Sequence, residues 1–147
     1  MKLPPPPYAR IAGQIVASQL AEVGIKVELI NVEWAQWLQD VFTNKDYDLS
    51  LISHVEPFDI GNYANPNYYF NYDNPEFQAL IETLNGTTDE AKRKELAIEA
   101  QTILAKDAVN GYLFELAQTG VWNAKLTGMW QNSPIEGLVL RDIAWTE

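Results

Sequence analysis

The chain has 147 residues, 47 % of them hydrophobic and 20 % charged, which suits one globular domain with a real core and leaves too little length for two. Twenty acidic against ten basic residues give a formal charge of −10, which excludes a phosphate-binding surface and with it nucleic acid or anionic lipid as a partner. Cysteine is absent, so disulfides, thiolate zinc sites and Cys nucleophiles are excluded together.

The opening MKLPPPPYARIAG has no apolar stretch of the kind a signal peptide carries. Its run Pro4 to Pro7 reads as a polyproline connector, so the chain is expected to begin partway through a longer protein. From Tyr8 to Val23 the residues Ile11, Ile15, Val16, Leu20 and Val23 fall on one helical face. Gly24 supplies the left-handed residue that ends such a helix. Ile25 to Val32 alternates apolar and polar side chains and is expected to be a strand with a parallel neighbour. A second helix is expected over Glu33 to Phe42, with Trp34, Leu38 and Val41 on one face and Trp37 beside it.

Asp48 to Ser53 is expected as a strand, followed by a long turn-rich loop. Asn74 is a helix cap and Pro75 a first helical residue, so Pro75 to Leu84 should be helical until Asn85-Gly86 breaks it. Thr87-Thr88-Asp89-Glu90 matches a capping box before the longest helix, Thr88 to Val109, whose buried stripe is Leu96, Ala100, Ile103 and Leu104. Gly111 to Val121 reads as buried strand, Asn123 to Met129 as turn and Leu138 to Leu140 as a last strand. The expected fold class is α/β.

Function concentrates in Tyr47 to Tyr72. In open α/β domains ligands sit beyond the carboxyl ends of strands, and here an apolar run stops at Ser53-His54 and releases Glu56, Asp59 and many aromatic rings. Glu56 and Asp59 could serve as an acid/base pair, or could simply hold an ammonium group or sugar hydroxyls; capture of a polar ligand is the favoured use. His54 is the sole histidine. A zinc site from His54, Glu56 and Asp59 would be compressed and short of ligands, so no metal is expected, and His54 is read as hydrogen-bonded at a strand end. Among the rings, Trp34 and Phe58 are placed towards a cleft, Phe70 and Tyr72 towards the core. Neither a phosphate cradle, a nucleophile elbow nor an HExxH motif occurs, and no cofactor is implied.

In order along the chain stand YARIAGQIVASQLAEVGIKVEL, EWAQWL, YDLSLISHVEPFD, NPEFQALIE and DEAKRKELAIEAQTILAKDA. This series resembles the extracytoplasmic solute-binding proteins (family 5) of peptide/nickel-type ABC importers, from about Tyr8 to Gly128. The most telling pieces are Gly24-Ile25-Lys26-Val27-Glu28 turning into strand, and Arg93, Ala100, Gln101 and Leu104 in the long helix.

The resemblance implies one lobe of a two-lobed, type II periplasmic-binding-protein-like fold, a central sheet flanked by helices, and a chain that is a C-terminal portion. Residues 1–7 would be a lead-in with a strand reduced to Lys2-Leu3, residues 8–128 the ligand-binding lobe, and residues 129–147 a return towards the other lobe. Family members line the cleft with a Glu-Trp helix start, here Glu33-Trp34, with the positions of Leu38 and Val41, and with the loop after the next strand. There the family commonly has Trp-x-x-Asp followed by Asp-Pro; this chain has Ser53-His54-Val55-Glu56 and Asp59-Ile60, without the tryptophan and with Glu in place of the first Asp. In peptide-binding relatives that Asp pairs with the peptide's amino terminus, a role that would pass to Glu56.

The implied function is non-enzymatic. A periplasmic, monomeric protein would capture a small solute, an oligopeptide or similar, through Trp34, Leu38, Val41, Ser53, His54, Glu56, Phe58 and Asp59, and deliver it to a membrane permease. Two alternatives stand beside it: a glycoside-active enzyme using Glu56 and Asp59, and an interaction domain with an aromatic patch and no small ligand.

Overall fold

Two residues of extended chain organise the N-terminal half. In the computed structural model, which describes residues 1–56, 59–117, 119–130 and 140–146, strand β1 (Lys2–Leu3) pairs in parallel with β2 (Ile30–Asn31). Lys2 also forms a parallel bridge with Ser50. The parallel neighbour expected for Ile25 to Val32 is thus present, but only Ile30–Asn31 is regular strand. Likewise Asp48 to Ser53 contributes a single bridge at Ser50 rather than a strand. A ladder extends only as far as its partner, and β1 is two residues long.

Helix α1 (Pro7–Glu22) begins with Pro7 at the position where a missing N–H costs nothing. It ends as expected: Gly24 has φ 84°, the Gly24 N–H bonds the Ala21 carbonyl and the Ile25 N–H bonds the Leu20 carbonyl. The buried face is not the expected one. Ala9, Ala12 and Gly13 are buried, whereas Ile11 is 61 % exposed, and Ile15 and Val23 are also exposed. The reason is close approach to β1: a Cβ on Gly13 would stand 2.6 Å from Leu3 Cδ1, so only small side chains fit that face.

Helix α2 (Trp34–Trp37) runs into a π-helical turn, Leu38–Thr43. Trp37 and Val41 are buried with Val32 and Tyr69 in one core cluster. A 3₁₀ turn, Asp59–Ala64, leads towards α3 (Pro75–Gly86). Asn74 caps α3 as expected, its side chain accepting the Phe77 N–H at 3.1 Å. Helix α4 (Glu90–Asp107) is capped by Asp89, which accepts the Lys92 N–H at 2.7 Å. The second core cluster lies between α3, α4 and the 3₁₀ turn: Tyr63, Phe77, Ile81, Leu84, Leu96, Ala100 and Leu104. Ile103, Phe70 and Tyr72 pack against it from partly buried positions, so the α4 stripe and the assignment of Phe70 and Tyr72 to the core agree with expectation.

Beyond α4 the expected buried strand, Gly111 to Val121, is neither. Its described residues have no regular secondary structure, and Tyr112, Leu113, Phe114, Leu116 and Val121 are exposed, Val121 completely. The expected turn region holds β3 (Leu126–Thr127), antiparallel to β4 (Ala144–Trp145). Gly128 has φ 75° there, and a Cβ on it would overlap the Asp142 carbonyl oxygen. Of the expected strand Leu138 to Leu140, residues 138 and 139 lie outside the described residues, and Leu140 opens a 3₁₀ turn, Leu140–Asp142. Among the described residues the fold is mixed helix and sheet with two small sheets. Among the described residues no helix is long and apolar enough to cross a membrane.

Candidate functional site

Ser50 anchors the segment that builds the site. Its Oγ donates to the Lys2 carbonyl at 2.8 Å and accepts the Trp37 indole N–H at 2.9 Å, tying the bridge to the core beneath. Three residues on, the Ser53 N–H donates to the Tyr8 hydroxyl at 2.9 Å, so α1 holds the chain where it leaves the sheet. His54 follows, its ring stacked on Tyr69 at 6.0 Å and 16° and its Nε2 at 2.6 Å from the Tyr69 hydroxyl. Tyr69 is held in turn by edge-on packing against Trp37 at 5.7 Å and by Phe42 at 5.2 Å. The histidine therefore rests on an aromatic stack rooted in the core.

On its other side His54 meets both carboxylates. Its Nδ1 is 3.4 Å from Asp59 Oδ2 and 3.6 Å from Glu56 Oε2. Glu56 also accepts the Val55 N–H at 3.2 Å. Hydrogen bonds from the backbone N–H groups of Glu56 and Val55 hold its carboxyl below the usual glutamate range, aided by His54. Burial pushes the Tyr69 and Tyr63 hydroxyls well above the usual phenol range, so both are neutral. The Tyr63 hydroxyl is shared with Asn110 Nδ2 at 2.8 Å and the Tyr112 hydroxyl at 3.2 Å.

These groups open onto one concavity of about 2590 Å³, lined by Tyr8, Ser53, His54, Glu56, Asp59, Tyr63, Tyr69, Tyr112 and neighbours. Four of the expected site residues, Ser53, His54, Glu56 and Asp59, are thus brought together. Three are not. Val41 is fully buried in the core and presents no surface to a ligand, while Trp34 and Leu38 are exposed but do not line this concavity. The one-turn spacing that groups them on a helix face is broken by the π-helical turn beginning at Leu38. Phe58 lies outside the described residues. Tyr8, Asn110 and Tyr112 escaped the sequence reading because each reaches the site across 45 or more residues of chain, and nothing local marks such a contact.

No protein-family model matches the chain, and no curated protein matches it.

Proposed function

We propose that this chain is the ligand-facing lobe of a two-lobed, extracytoplasmic solute-binding protein that captures a small polar solute and hands it to a membrane permease. The supporting observation is the grouping of Ser53, His54, Glu56 and Asp59 with tyrosine hydroxyls just past the bridged Ser50, where α/β folds hold ligands. The concavity is several times the roughly 300–1,000 Å³ of a pocket that encloses a drug-sized molecule by itself, which suits one wall of a cleft that a second lobe completes. Ligand contacts from both lobes would then favour closure. With Val41 buried, the ligand wall on this lobe would consist of the residues just past the Ser50 bridge rather than the α2 face.

Calorimetry tests this directly. The 147-residue chain alone should bind amino-acid and oligopeptide solutes only weakly, and submicromolar affinity would overturn the two-wall mechanism. In the complete two-lobed protein, Glu56→Gln should weaken a cationic solute by more than about 1.5 kcal/mol, the scale of a charged hydrogen bond. An unchanged dissociation constant would remove Glu56 from the site.

One observation bears on a glycoside-active enzyme: donor oxygens of Glu56 and Asp59 lie within 4.8 Å of one another, close to the roughly 5 Å between carboxyl groups in retaining enzymes. The general acid of such a pair needs a raised pKa, and Glu56 is shifted the other way, which counts against giving it that role. Hydrolysis of an oligosaccharide panel, abolished by Glu56→Gln, would restore the enzyme.

A further inference from the structure

We propose that Gly111 to Ala117 is a strap that closes across the concavity by adding to the open edge of Leu49 to Ile52 as a further parallel strand. This concerns access to the site rather than the solute it takes, so it goes beyond solute capture and does not depend on it.

The open edge is defined by which backbone groups are already used. The Lys2 N–H donates to the Leu49 carbonyl at 2.9 Å, within the parallel bridge between Lys2 and Ser50. Successive residues of a paired strand turn their N–H and C=O groups to opposite edges. Leu49 and Leu51 therefore face β1, while Ser50 and Ile52 face away from it. Neither Ser50 nor Ile52 has a backbone partner among the described residues. The strap has the matching need: among the described residues, no backbone group from Gly111 to Ala117 bonds another. Unpaired rows of this kind are templates for strand addition.

Geometry brings the two segments together. Both line the same concavity, and the Tyr112 hydroxyl, 3.2 Å from that of buried Tyr63, roots the strap at its wall. Direction follows from the connection. Between Ser53 and Gly111 the chain passes through α3 and α4, and a helix-bearing crossover of this length joins parallel strands. The existing sheet obeys the same rule, since β1 reaches β2 through α1 and both pairings of β1 are parallel. Composition suits the place as well. Glu115 is the only charged residue from Gly111 to Ala117, as expected of a parallel strand covered on both faces. The structure shows the strap open, so closure is the less populated state of the free chain. Closing fills the concavity beside Ser50 and Ile52 and leaves Ser53, His54 and Asp59 at its mouth, which limits how much of the wall a ligand can reach.

Because the chain has no cysteine, engineered disulfides report closure without background. Leu51→Cys is combined in turn with Tyr112→Cys, Leu113→Cys, Phe114→Cys, Glu115→Cys and Leu116→Cys, and cross-linking within the monomer is timed under mild oxidation. Neighbouring strands lie about 4.7–4.9 Å apart, within the roughly 4.4–6.8 Å that a disulfide bridges. Cross-linking rates should alternate with a period of two along the strap, because side chains alternate between faces of a strand. In the fastest variant, locking should slow hydrogen exchange at Ile52 and in the strap at least about tenfold relative to the reduced form. Circular dichroism of the reduced forms confirms folding, and a Leu49→Cys series on the same face stands in if Leu51→Cys does not fold. Rates that fall smoothly along the strap, no cross-link in either series, or exchange unchanged on locking would each overturn closure.

Discussion

The α3–α4 pair and the segment from Gly111 to Trp122 are both rich in large apolar side chains, and only the first buries them. Phe77, Ile81, Leu84, Leu96 and Leu104 interlock with Tyr63, whereas Tyr112, Leu113, Phe114, Leu116 and Val121 stand exposed. Both helices carry side-chain caps at their starts, Asn74 and Asp89, and each presents its stripe to the other. The later segment has comparable hydrophobicity but no facing element among the described residues. Burial follows from a partner at the right spacing, not from apolar content.

One substitution made in both regions sharpens the contrast most. Phe77→Ala should cost about 3–5 kcal/mol in denaturant unfolding, since the ring is wholly buried and leaves a cavity. An effect below about 1 kcal/mol would break the comparison by showing that the helical core can collapse around the loss. Next in size is the cap: Asn74→Ala should cost about 1–2 kcal/mol, because Asn74 also donates through Nδ2 to Tyr72 and Asp107.

The same corner gives a pH signature. Tyr72 donates to Asp107 at 2.5 Å, and burial together with that carboxylate pushes the phenol up from 10.0 to about 12. A phenol whose pKa is raised on folding contributes stability that is complete below its unfolded value and is lost as pH climbs through the folded one. Unfolding free energy should therefore start to fall above about pH 10, with Tyr72→Phe removing the part lost up to about pH 12. At the acid end, the hydrogen bond from Tyr72 holds Asp107 below the usual carboxylate range, so its contribution disappears as pH drops through that lowered value. Smallest of all should be Phe114→Ala in the exposed segment, within about 0.5 kcal/mol of the parent. A large loss there would mean that the segment is covered in solution.

Local chemistry was legible in the sequence where one residue sets its own neighbourhood. Gly24 stops α1, Asn74 starts α3, and Leu96, Ala100 and Leu104 share the buried side of α4, all as spacing predicts. What was not legible depends on approach between distant parts. Nothing local says that Gly13 must admit Leu3, and so the helix turns its small residues inward and leaves Ile11 and Ile15 out. The site divides along the same line. Ser53, His54, Glu56 and Asp59 are neighbours in sequence and were readable as a group; Tyr8, Asn110 and Tyr112 join them only through tertiary contact. The α2 residues failed for a third reason, because a π-helical turn alters the angular step on which face assignments rest.

Lys2 touches three separate stretches at once. Its main chain joins Ile30 and Leu49, and its ammonium reaches Asp40 at 3.1 Å and Asp46 at 3.0 Å. None of those partners is nearby in the chain, so loop-closure entropy must be met before any of them rewards it. Lys2–Leu3 can therefore settle into register only once the stretch around Leu49 and Ser50 has come alongside.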